Sequence, residues 1–123
     1  MSHCPDIDCT TRCFKDKHLN KDMTPAKCDE KMKAINVGNK KCKKINTFIL
    51  EDEEKVNAVC KLGEDNKIIT STTTFRVVKC STTDTDVKNC KYEGKAVTAL
   101  MIRLICRGGV PVHYDKPTDW AEQ

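Results

Sequence analysis

The sequence predicts an α+β fold, three helices packed on an antiparallel β-sheet and stapled by disulfides, and three observations carry that prediction. Apolar residues recur at helical spacing in segments before Cys60. From Lys67 onward, β-branched residues alternate with polar ones at period two. Finally, a chain of 123 residues with only three Phe, two Tyr and one Trp carries nine cysteines, and so thin a core needs covalent help to stay folded.

The elements follow in order. "CTTRCFKDKHLNK" offers Thr10 or Thr11 as an N-cap and sets Phe14 and His18 four apart, on one face of a first helix. Thr24 and Pro25 supply a cap and first position for a second helix, in which Cys28, Met32 and Ile35 form an apolar stripe and Gly38 provides a stop. "INTFIL" reads as a strand. "EDEEKVNAVC" reads as a short third helix with acids in its first turn and Val56, Val59 and Cys60 turned inward. "KIITSTTTFRVVKC" and "KAVTALMIRLIC" are β segments separated by the polar "STTDTDVKN", and "VPVHYD" follows Gly108 and Gly109 as a last strand. Helices before strands, without regular alternation, mean α+β and an antiparallel sheet. One domain is expected over residues 9–116, with an N-terminal extension at 1–8 and a C-terminal tail at 117–123.

Composition narrows the function. The net charge is +4, from 22 Lys and Arg against 18 Asp and Glu, which excludes a polycation. The densest cluster, "KKCKK" (Lys40, Lys41, Lys43, Lys44), suits an anionic partner such as a phosphate backbone, a heparin-like glycan or an acidic membrane, and equally suits a solvated face. The cysteines lack the close C-x-x-C pairs of zinc modules, so disulfides and an oxidising compartment are expected. No apolar run approaches the roughly 20 residues of a membrane span. The start "MSHCPDIDC" lacks the apolar centre of a leader, so a mature soluble chain is expected, and the oxidising compartment makes it a secreted, extracellular one.

Histidines occur only at positions 3, 18 and 113. A histidine on a helix face is most often a packing residue, yet two imidazoles and a lysine form a toolkit for phosphoryl chemistry without metal. Spacing alone leaves both readings open. "FKDKH" (Phe14 to His18), "CKKINTFI" (Cys42 to Ile49) and "PVHYD" (Pro111 to Asp115) resemble the three catalytic segments of the pancreatic-type ribonuclease superfamily. Cys28, Cys42, Cys60, Cys80, Cys90 and Cys106 fall in the order and approximate spacing of that family's framework. "CKLGEDNKIITS" lacks a counterpart to the further disulfide of pancreatic enzymes and the step from Cys106 to His113 is short, features similar to the angiogenin branch and to a fish or other non-mammalian member.

The resemblance implies disulfides 28–80, 42–90 and 60–106, and a bent sheet across whose cleft His18 and His113 face each other with Lys43 between them. It implies an endoribonuclease that cuts single-stranded RNA by transphosphorylation to a 2′,3′-cyclic phosphate, with His18 as base, His113 as acid and Lys43 as electrostatic stabiliser, needing neither metal nor cofactor. Cys42 would tether the strand that delivers Lys43. Among substrate-binding positions, Lys17 would touch phosphate, Thr47 would read a pyrimidine edge and Asp115 would set the tautomer of His113. Lys44, Ile45 and Asn46 share that segment, Asn46 with Phe48 reading as support more than contact. Four positions depart from the most active members: Lys79 and Arg107 stand where base-reading groups are expected, and Cys13 and Asp16 where basic residues serve a neighbouring phosphate. "KPTDWAEQ" stands where angiogenins obstruct their pyrimidine pocket, so modest turnover is expected.

Cys4, Cys9 and Cys13 lie outside that framework, and nine is odd. A further disulfide within the extension, a disulfide-linked dimer in place of a monomer, and a zinc site with His3 are the three readings. Angiogenic or host-defence roles, a receptor, and entry to the nucleus or nucleolus through "KKCKK" are implied by the likeness alone. The rival reading is a cationic protein that engages bacterial surfaces, heparin-like glycans or a receptor without needing catalysis. A growth-factor-like disulfide scaffold leaves both histidines unexplained.

Overall fold

The computed structural model describes residues 11–38, 40–83 and 90–115. Helix α1 spans Thr11–His18, and α2 spans Cys28–Ile35 behind a 3-10 turn at Pro25–Lys27. Strand β1 (Ile45–Ile49) is followed by α3 (Glu53–Val59), with a 3-10 turn at Cys60–Leu62. Five strands complete the order: β2 (Ile68–Thr70), β3 (Phe75–Ser81), β4 (Glu93–Leu100), β5 (Arg103–Arg107) and β6 (Val110–Asp115).

Thr24 is extended before Pro25 but makes no side-chain cap bond; the Lys27 N–H bonds to the Thr24 carbonyl at 3.0 Å, so the chain enters α2 through a 3-10 turn. Proline lacks one of the donors a cap would satisfy, which weakens the demand for one. Gly38 has φ +85° beyond the end of α2. Gly108 and Gly109, at φ +66° and +83°, form the two-residue β5–β6 turn, where both central residues of a type I′ turn need positive φ.

Both long β segments break in the middle. The strands form two three-stranded antiparallel sheets, β1-β3-β4 and β2-β5-β6, so β2 and β3 belong to different sheets, as do β4 and β5. Ser71 clips the two breaks together: its N–H donates to the Ile102 carbonyl at 2.8 Å, and its Oγ accepts from the Ile102 N–H at 2.9 Å and donates to the Thr73 carbonyl at 2.8 Å. The Ser71 N–H bond extends the β2–β5 register one step past Thr70 and Arg103, while the Ile102 N–H goes to the hydroxyl in place of a backbone acceptor.

The sheet β1-β3-β4 is covered on both faces. Phe48, Val78 and Cys80 join Met23, Cys28 and Met32 on one side, while Ile49 and Val77 join Phe14, Val56, Val59, Leu104 and Tyr114 on the other. Val77 to Cys80 are therefore buried at four consecutive positions, where half-buried alternation would have exposed every second one. Disulfides join Cys28 to Cys80, Cys42 to Cys90 and Cys60 to Cys106, tying α2 to β3, the approach to β1 to that of β4, and the end of α3 to β5. His3, Cys4, Cys9, Thr10, the extension, the tail and the side chain of Cys13 lie outside the description. Among the described residues, no helix is long and apolar enough to cross a membrane.

Candidate active site

His18 closes α1, and the chain after it is zipped to the end of β1 by a Leu19–Ile49 bridge and an Asn20 N–H bond to the Ile49 carbonyl at 3.0 Å. Its imidazole lies between Phe14 and Tyr114, with ring centroids at 5.3 and 5.2 Å, and only 8% of the residue is exposed. Nδ1 sits 2.8 Å from the Thr47 carbonyl. A carbonyl only accepts, so Nδ1 carries the hydrogen and Nε2 holds the lone pair. Burial, and next the Lys43 ammonium, push the pKa of His18 from 6.5 down to about 3, against the upward pull of the Thr47 carbonyl, so the ring is neutral near pH 7.

Lys43 is positioned from both ends. Its Nζ donates to Asn46 Oδ1 at 2.8 Å, and Asn46 Nδ2 donates to the Lys17 carbonyl at 2.8 Å, so the buried Asn46 couples the ammonium to the end of α1. The backbone of Lys43 sits in a closed ring: its N–H donates to Asn36 Oδ1 (3.0 Å), Asn36 Nδ2 donates to the Tyr92 hydroxyl (2.9 Å), and that hydroxyl donates to the Lys43 carbonyl (2.6 Å). The adjacent Cys42–Cys90 disulfide tethers the same loop. Asn36 and Tyr92 escape sequence reasoning, since neither follows a periodicity; their one signal is proximity to Gly38 and Cys90.

His113 comes from the other sheet, on β6 opposite Ile105, and is exposed. The Asp115 carboxylate pairs with Arg103 at 3.3 Å, and no hydrogen bond joins it to His113. One open cleft of about 1110 Å³ brings together Lys17, His18, Lys43, Ile45, Asn46, Thr47, His113 and Asp115. Lys44, expected to bind substrate, is exposed and lies off this wall, flanked by Lys43 and Ile45, which face it. Lys40, Lys41 and Arg107 add cations, whereas the acidic lining is Asp115, which already has a partner. Such a cleft concentrates anions. Lys79 is 3% exposed and sits opposite Thr47 in the β1–β3 register, on the same face of that sheet.

The sequence model of pancreatic ribonuclease matches residues 9–115. The chain belongs to the pancreatic ribonuclease family. This ribonuclease is 32% identical over 112 residues to pancreatic ribonuclease of Iguana iguana, covering 83% of this chain and 92% of the relative. It is 31% identical over 114 residues to ribonuclease-like 3 of Danio rerio, covering 84% of this chain and 75% of that one. The crystal structure of zebrafish RNase5 superposes on it with a TM-score of 0.78 at 33% identity, over 94% of this chain and all of the other. The protein is an endoribonuclease of the pancreatic-type superfamily, with non-mammalian members among its relatives.

Proposed function

We propose that this ribonuclease cuts single-stranded RNA by transphosphorylation, with residues 9–116 as the catalytic domain. The reading is carried by the His18 Nδ1–Thr47 bond, which leaves a neutral imidazole with its Nε2 lone pair at a cation-lined cleft shared with Lys43 and His113. Nε2 of His18 accepts the proton of a ribose 2′-hydroxyl as the 2′-oxygen bonds to phosphorus. The P–O5′ bond breaks, and protonated His113 gives its proton to the departing 5′-oxygen. Lys43, held by Asn46, stabilises charge on the non-bridging oxygens of the phosphorane. The products are a 2′,3′-cyclic phosphate and a free 5′-hydroxyl. The nucleophile belongs to the substrate, so DNA is not cut and activity survives EDTA.

Lys17 supplies charge to the phosphate, and Thr47 with Ile45 forms the wall against the upstream base, where pyrimidine preference arises. Asn46 acts through Lys43. Three long-range disulfides favour an extracellular life. Replacing His113 with Ala is expected to lower tRNA cleavage about 10²- to 10⁴-fold with the fold intact; unchanged cleavage rejects the mechanism. A second role is favoured by the exposed Lys40, Lys41 and Lys44: engagement of bacterial surfaces, heparin-like glycans or a receptor in host defence or angiogenesis, and nuclear uptake. Reversing those charges abolishes this role, and the His113 variant retains it.

A further inference from the structure

We propose that Arg107, held in place by Asn66, is a binding site for the phosphate one nucleotide downstream of the scissile bond. The inference rests on the reading above, in which His113 serves the departing 5′-oxygen. Ile105 pairs with His113, and Arg107 follows Ile105 by two residues on β5, so successive side chains on one face carry the cleft from His113 to Arg107. Two residues of strand span roughly 6 to 7 Å, the scale of one nucleotide step along an extended backbone. Arg107 lies on the sheet that carries His113, not on the sheet that carries Thr47. It therefore meets the leaving side of the substrate.

The side chain is aimed. Arg107 Nε donates to Asn66 Oδ1 at 3.0 Å, and the Asn66 N–H donates to the Cys106 carbonyl at 2.9 Å, so one residue grips both the strand and its guanidinium. Asn66 does this with φ +65°, a left-handed conformation that asparagine tolerates better than most residues. The Gly108 N–H donates to Asp65 Oδ2 at 3.0 Å, a second clamp that also occupies the neighbouring carboxylate. With Nε engaged, the terminal nitrogens of Arg107 present the planar fork that matches two phosphate oxygens. Neither Lys15 nor Asp16 of helix α1 offers an unpaired cation there. Lys15 is paired with Glu53 at 2.7 Å, and Asp16 is an acid.

The test compares a pyrimidine–adenosine dinucleoside monophosphate, CpA, with the same molecule bearing a 3′-terminal phosphate, CpAp, on wild type and Arg107→Gln. The ratio of kcat/KM, CpAp over CpA, is expected to be about ten at low salt in wild type and to fall to about one in the variant, a change of about 1.4 kcal/mol. The wild-type ratio should shrink as salt rises. Asn66→Gly keeps the backbone turn, releases the guanidinium, and is expected to lower the ratio part of the way. A wild-type ratio near one, or a ratio that Arg107→Gln leaves untouched, overturns the subsite while leaving the reaction in place. Failure of wild type to cut either molecule overturns the transphosphorylation reading and the subsite with it.

Discussion

The neutrality of His18 is written into the folding free energy and can be measured there. Its folded pKa is about 3 and its ordinary value 6.5, with burial the leading cause and the Lys43 ammonium second. Between these pH values the unfolded chain binds a proton that the folded chain refuses. Stability therefore rises with pH in this window and is lost as pH falls, by about 1.4 kcal/mol per unit and at most roughly 4 to 5 kcal/mol across it. Carboxylates contribute in the same direction at lower pH, Glu51 among them because its bond to Arg76 lowers its pKa, so the His18 share must be isolated by difference. His18→Asn removes the titrating group and keeps a side-chain donor for the Thr47 carbonyl. Urea unfolding of both proteins from pH 7 to pH 4 should give free energies that converge as pH falls, the wild type losing about 1.4 kcal/mol per unit more than the variant below pH 6. Parallel curves refute the burial argument. By the same reasoning, the acidic limb of kcat/KM, set by protonation of the base, should lie far below 6.5.

Lys43→Ala should lower kcat/KM about 10²- to 10³-fold, the loss typical of one preorganised electrostatic donor, as steady-state cleavage of a dinucleotide will report. Asn46→Ala removes two part-buried hydrogen bonds and should cost about 1 to 3 kcal/mol in urea unfolding, while lowering kcat more than it raises KM because the ammonium is no longer held. Replacing Cys42 and Cys90 with Ala opens a bridge 48 residues apart in sequence and should cost about 4 kcal/mol, measured by thermal unfolding. A Cβ on Gly94 would overlap the backbone of Pro25, so Gly94→Ala should cost about 1 to 3 kcal/mol without changing the cleavage mechanism.

Helix positions were legible because Cys28 with Met32, and Val56 with Val59, stand at helical spacing and bury as that spacing requires. Strand existence was legible too, but strand continuity was not. The chain around Ser71 and Met101 keeps β-forming residues through both breaks, and the interruption coincides with a contact between Ser71 and Ile102, distant in sequence. Burial of Lys79 was equally hidden, since alternation says nothing of a sheet covered on both faces. At the cleft, short segments pointed to His18, Lys43 and His113 because sequence neighbours travel together on helix and strand. The supports were invisible: Asn36 and Tyr92 act through bonds spanning 56 and 49 positions. Lys44 shows the converse limit, for proximity in sequence to Lys43 gave it no place on the wall.

Ser71 and Ile102 extend the β2–β5 pairing one step past Thr70 and Arg103, so both crossings from this sheet to its neighbour leave from one fastened point. On the mechanism proposed above, the carbonyl partner of His18 lies on β1 and His113 on β6 of the other sheet, so the angle between the sheets sets the spacing of proton acceptor and proton donor. On that mechanism, Ser71→Ala should change turnover with every reacting group left as it is.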